Sequence, residues 1–213
     1  YEDKVGKLIT GTVTRVEPRV THIELGGGEG IMPVSEQIPG ERLMVGSRVR
    51  VLLKKIDRDN NRGPTIILSR ADANFVRLLF AQEVPEIETG AVEIKAVARE
   101  AGRRTKIAVS GSNPEIDAVG TFVGSKGVRV QAVMNEIGDT EKIDIVTYDV
   151  DIRNYIANAL SPAEVNRIDI DEKVKKAIVY VPANQQSVAI GKQGQNVRLA
   201  SQLTGYSLDI ATD

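Results

Sequence analysis

Short alternations of apolar and polar residues fill the first third of the chain. Segments 7–15, 22–25, 31–34, 48–56 and 65–69 read as strands with turn residues between them. Alternation is clearest in Arg48-Val49-Arg50-Val51, which sends the valines inward and the arginines outward. Five short strands in about 70 residues predict a small closed barrel. From Ala71 the period changes. Phe75, Val76, Leu78, Leu79 and Phe80 form a helical stripe that Val84-Pro85 ends. Strands over 92–99 and 105–110 follow, then a helix over 114–123, a second helix and a strand at 143–145. That order, αββααβ, recurs: helix 151–159, strands 165–170 and 177–181, helices 184–190 and 195–204, and a strand at 208–210.

A turn of the form Gly-x-x-Gly marks the same place in each repeat. Gly124-Ser125-Lys126-Gly127 and Gly191-Lys192-Gln193-Gly194 lie 67 residues apart, each between two helices. With 19 glycines in 213 residues, roughly two such matches arise by chance, so context has to carry the motif. A third match, Gly27 to Gly30, has no helix after it. The other two share an apolar segment before, an amphipathic helix after, a capping glycine (Gly138, Gly205) and a short Asp-Ile strand. An internal repeat is the better reading.

Composition narrows the function classes. Apolar content of 41% suffices for packed cores, and no run nears the roughly 20 apolar residues of a membrane span. No basic-then-apolar leader is present. Zero cysteines exclude disulfides and thiolate metal sites, and one histidine disfavours an imidazole metal centre. Asp149 with Asp151, and Asp169 with Asp171, lack a third ligand or a phosphate loop, and no nucleophile–base pair can be drawn. We therefore expect no enzyme activity, metal or cofactor. Aromatics at 4% make broad base-stacking platforms unavailable. The balance of 28 basic against 29 acidic residues means that positive charge for a nucleic acid has to be local.

A Gly-x-x-Gly turn between helices suits a phosphodiester backbone. Missing side chains permit close approach, the next helix offers free N–H donors, and Lys126 or Lys192 adds a cation. Amides around the second turn (Gln185, Gln186, Gln193, Gln195, Asn196) could meet base edges, and Val123, Val128, Ile190 and Val197 could line a groove or simply pack in cores. The basic cluster Arg48, Arg50, Lys54, Lys55, Arg58 and Arg62 reads equally as a solvated hairpin face or an RNA-facing surface.

VGSKGVRVQAVMNEIG…EKIDIV and AIGKQGQNVRLASQLTG resemble the first and second KH units of the NusA family of bacterial transcription factors. TGTVTRVEPRVTHIELGGGEGIMPVSEQIPGE with SRVRVLL resembles its S1 domain, so the resemblance covers essentially the whole chain. It implies an α+β, multidomain fold: a five-stranded OB-type barrel (S1) over 1–71, then type II KH domains over 72–148 and 149–213. It implies single-stranded RNA as ligand, with the nascent transcript, RNA polymerase and other elongation and antitermination factors as partners of a cytoplasmic monomer. The expected RNA contacts are the two turns, Arg129, Asn196 and Arg198 on the helices after them, and Arg19 and His22 on the barrel. Arg19 and His22 stand where many S1 domains carry stacking aromatics, which shifts the expected binding toward the KH turns. The family's polymerase-binding N-terminal domain would precede Tyr1. Rival readings are an RNA-capture module of an exoribonuclease or exosome-like assembly, which usually has one KH unit, and a KH-fold protein scaffold.

Overall fold

The computed structural model describes residues 1–59 and 61–213. Strands β1 (Leu8–Val16), β2 (Val20–Glu24), β3 (Glu29–Pro33), β4 (Arg48–Asp57) and β5 (Thr65–Ser69) close into a barrel of order β1-β2-β3-β5-β4. Closure is made by the parallel pair β3–β5, through Gly30 opposite Ile66 and Ile31 opposite Ile67. A Cβ on Gly30 would lie 2.7 Å from the Leu68 side chain, so closure of the barrel requires glycine at this strand position. Val13, Ile23, Met32, Val49, Val51, Leu53 and Leu68 fill the interior, as the alternation predicts. Leu52 points out of the barrel yet is buried, because the next unit covers it.

That unit comprises α1 (Ala73–Glu83), α2 (Glu86–Thr89), β6 (Val92–Glu100), β7 (Arg104–Gly111), α3 (Ala118–Val123), α4 (Val128–Ile137) and β8 (Lys142–Thr147). The third has α5 (Ile152–Ala159), β9 (Arg167–Asp171), β10 (Lys176–Val181), α6 (Gln186–Ile190), α7 (Gln195–Thr204) and β11 (Ser207–Thr212). Each sheet pairs its first two strands antiparallel and its last two parallel, so the αββααβ repeat is one topology used twice, with α2 added in the first copy.

Boundaries move where polar side chains capture the backbone. The helix expected over 114–123 starts only at Ala118, since Asn113 accepts from the Glu115 N–H and Asp117 caps by accepting from the Gly120 N–H. Asp151 is likewise the cap of α5 rather than its first residue. The strand expected over 165–170 is Arg167–Asp171, although the Asn166 N–H already reaches the Tyr180 carbonyl. Ala183–Gln185 forms a separate 3-10 turn before α6.

The units share cores rather than a linker. Ile107 and Val109 on β7 join Phe75, Phe80 and Phe122 on one face of the first KH sheet, together with Ile38 and Leu52 from the barrel. Ala98, Ala108 and Val146 on the opposite face join Tyr155, Ile156, Leu199 and Leu203 of the second KH unit. Small alanines let α7 lie directly on β6 and β7. Lys106, fully buried on this seam, donates to Asp144 Oδ2 at 2.9 Å and to the Ser161 carbonyl at 2.9 Å. Burial pushes its ammonium pKa down, against the pull of Asp144.

At the other seam Arg70 lies over the Phe75 ring. It grips Glu41 with two nitrogens and reaches the Arg50 carbonyl and the Glu136 side chain and carbonyl. Arg99 pairs with the fully buried Glu141, which also accepts from the Thr105 hydroxyl and the Gly102 N–H, so that no oxygen of this carboxylate is left unpaired.

Overpacking the alanine seam should be costly. Ala108→Leu is expected to lower unfolding free energy by about 1–3 kcal/mol in a denaturant titration. A wild-type midpoint would contradict the close approach of α7 to β7.

Candidate nucleic-acid interface

Both turns have one backbone shape. In the first, Gly124 has φ 81° and ψ 166°, Lys126 φ 56° and ψ 25°, and Gly127 φ 75° and ψ 15°. In the second, Gly191 has φ 80° and ψ 169°, Gln193 φ 56° and ψ 27°, and Gly194 φ 75° and ψ 11°. The first glycine of each pair occupies a region that residues with a Cβ do not populate. Space demands glycine there as well: a Cβ on Gly124 would lie 2.7 Å from Arg129 Cγ, and one on Gly191 2.7 Å from the Asn196 backbone nitrogen. Each turn closes by a hydrogen bond from the last glycine N–H to the first glycine carbonyl, at 3.0 Å and 3.1 Å.

Ser125, Lys126, Lys192 and Gln193 are exposed. Neither Lys126 nor Lys192 has a carboxylate partner among the described residues. Each turn therefore presents an uncompensated cation next to the N-terminus of a ten-residue helix, where amides lack intrahelical acceptors. Val123 and Ile190, each just before its turn, are half-buried, while Val128 is 62% exposed. Val197 packs, partly buried, against the second KH core, as its counterpart Val130 packs against the first.

Arg129 and Asn196, expected to touch RNA, are both engaged within the protein. Both occupy the second position after the turn, and both lie beneath it. Arg129 Nη1 donates to the Thr121 carbonyl at 2.9 Å and lies 3.0 Å from Glu86 Oε1. Asn196 is fully buried, and its amide donates to the Ala189 and Leu160 carbonyls, each at 3.0 Å. One side chain is ionic and the other neutral, yet each bonds a carbonyl near the end of the helix entering the turn. Glu86 has its carboxyl held below the ordinary range by its own backbone N–H and then by Arg129.

Arg198 is partly exposed but engaged. It donates to the Gln193 carbonyl at 3.0 Å and holds both oxygens of Glu100 at 2.6 and 2.8 Å. Nothing local in the sequence marks Glu86 or Glu100 as a partner of Arg129 or Arg198, which lie 43 and 98 residues further along.

On the barrel, Arg19 is exposed in the turn before β2. His22 is held between neighbours: its Nδ1 lies 2.6 Å from Glu29 Oε1 and its Nε2 lies 3.1 Å from Arg15 Nη2. The basic cluster is largely drawn into structure. Arg48 bonds Thr12, Arg50 bonds Gln82, Lys54 pairs with Glu36 and Asp72, and Arg58 pairs with Glu2. Among the described residues no cluster of acids and histidine could hold a metal, and no helix is long and apolar enough to cross a membrane.

The brace beneath the second turn is testable. Asn196→Ala strands two buried carbonyls and is expected to cost about 1–3 kcal/mol of stability by chemical denaturation. Arg129→Ala, at a half-buried ion pair, should cost less. The reverse order would contradict the assignment.

Comparison with known proteins agrees with this layout. Residues 2–70 match the S1 RNA binding domain, 70–148 the NusA-like first KH domain and 152–213 the NusA-like second KH domain. The "Transcription termination/antitermination protein NusA" of Thermus thermophilus is 51% identical over 98% of the chain and 54% of its own length. Proteins of the same name from Halalkalibacterium halodurans and Bacillus subtilis are 45% and 44% identical over the whole chain, covering 55% and 57% of their lengths. The chain thus spans a little over half of these curated relatives. From barrel to last strand it belongs to the NusA family, as an S1 domain followed by the first and second KH domains.

Proposed function

We propose that the chain is a non-enzymatic module that binds single-stranded RNA, with the two glycine turns as clamps on the phosphate backbone. The observation that carries this reading is the repetition of one strained backbone shape with an unpaired lysine at each copy. Holding Lys126 and Gln193 at positive φ costs roughly 1–3 kcal/mol each, and a plain helix corner has no need of it. Each clamp accommodates about four nucleotides. Packing of α7 on the first KH sheet holds the clamps at a fixed separation, so the second contact is nearly intramolecular and weak sites add to a useful affinity.

In this reading the units 1–71, 72–148 and 149–213 act on nascent transcripts to modulate pausing, termination and antitermination. The names of the relatives support a role in termination and antitermination; RNA polymerase and its elongation factors as partners, and a monomer in the cytoplasm, belong to the same proposal. The barrel contributes less. His22 is tied to Glu29 and Arg15, which leaves Arg19 as the exposed candidate on that unit.

Fluorescence anisotropy with a short single-stranded RNA tests the clamps. Lys192→Asp with Gln193→Asp should weaken binding at least about tenfold with an unchanged melting temperature, since both side chains face solvent. Unchanged affinity would overturn the site. Binding should also show a shallow salt slope, equivalent to only a few released counterions.

A further inference from the structure

Equivalent positions in the two KH units show where the clamps differ. The fourth residue after the turn is Gln131 in the first unit and Arg198 in the second. Gln131 bonds along its own helix, to Asn135 at 2.8 Å. Arg198 instead curls back beside Gly194 and donates to the carbonyl of Gln193, the residue held at φ 56°. Its other nitrogens cross to Glu100, the last residue of β6 in the first KH unit. Glu100 is the more buried partner, with 19% of its side chain exposed against 43% for Arg198. Its carboxyl is held below the ordinary range chiefly by Arg198, with Gln195 and Arg103 adding to the effect. The acid therefore stays charged and paired near neutral pH.

A carbonyl at a left-handed residue is turned out of the helix ladder, and a guanidinium with a planar fork can hold it and a carboxylate at once. The geometry points to Glu100 as a positioning residue of the second RNA clamp, acting from the first KH unit through Arg198 on the Gln193 carbonyl. Arg198 is then a strap, not a phosphate contact, and the second clamp keeps its shape only while the first KH sheet is in place beside it. This inference rests on the clamp reading above and adds to it a dependence of one clamp on a residue of the neighbouring unit.

The test is RNA anisotropy on the full chain with a 12-nucleotide single-stranded RNA. The variants are Glu100→Ala, Arg198→Met, the two together, Arg198→Lys, and the double aspartate variant of Lys192 and Gln193. Through a strap, Glu100→Ala and Arg198→Met each weaken binding on the order of three- to tenfold, and the double variant is no worse than the weaker single. Arg198→Lys also weakens it, because one ammonium cannot span both partners. The slope of log Kd against log salt stays constant, and hydrogen exchange at the Gly194 amide quickens.

Tighter binding by Glu100→Ala, with a slope reduced by about one in Arg198→Met, would make Arg198 a phosphate contact and overturn the proposal. If the strap variants are neutral while the double aspartate variant loses RNA, the strap fails and the clamp stands. If the double aspartate variant is neutral too, both fail. Glu100→Gln replaces Glu100→Ala if the latter does not fold, with the same outcomes read.

Discussion

The buried guanidinium of Arg70 is the joint on which the arrangement turns. It is 4% exposed and makes five hydrogen bonds, to Glu41, the Arg50 carbonyl, and the side chain and carbonyl of Glu136. Burying such a charge is costly unless every donor finds an acceptor, and here the acceptors come from three places: the segment after β3, strand β4, and the last turn of α4. A cation at the end of α4 also complements the helix dipole. Since α4 begins at the first glycine turn, its far end is anchored to the barrel by the residue that leaves the barrel. Arg99 extends the joint by donating to the Arg70 and Asp72 carbonyls while paired with Glu141.

Backbone conformation in the two glycine turns is near-identical, but support for it is not. Beneath the first turn the brace is an ion pair, Arg129 with Glu86 on α2, an element the second unit lacks. Beneath the second turn it is a neutral, fully buried amide. The chain thus reaches one geometry by two chemistries, which places the constraint in the turn itself. The glycines and the left-handed residue are common to both copies, whereas the side chains that stabilise them vary.

Much of this was legible in the sequence because the signals were local. Strand alternation in Arg48-Val49-Arg50-Val51, the apolar stripe from Phe75 to Phe80, and the repeated turn each specify structure within a few residues. What escaped depends on partners far along the chain. Lys106 reads as a solvent-facing cation beside the apolar run Ile107-Ala108-Val109, and only Asp144 and the Ser161 carbonyl explain its burial. Asn196 looks like an exposed amide until Ala189 and Leu160 are folded around it. Leu52 seems to break the in–out pattern, but it keeps the pattern and is covered by the next unit. The run of buried residues 105–109 on β7 carried a hint, since a strand buried along its length is covered on both faces.

That doubly covered sheet gives the molecule a polarity. The first KH sheet offers alanines to α7 of its successor, so each unit serves as the floor for the one after it. The second sheet does not repeat the offer: its outward face carries Arg167, Asp169, Asp171, Lys176 and Asp209, all exposed, around Ile178 and Tyr180. A helix laid there would have to desolvate five charges as well as cover Ile178 and Tyr180, whereas α7 meets alanines on the first sheet. Stacking by this mode therefore has a head and a tail: two sheets of one topology present outer faces of opposite chemistry.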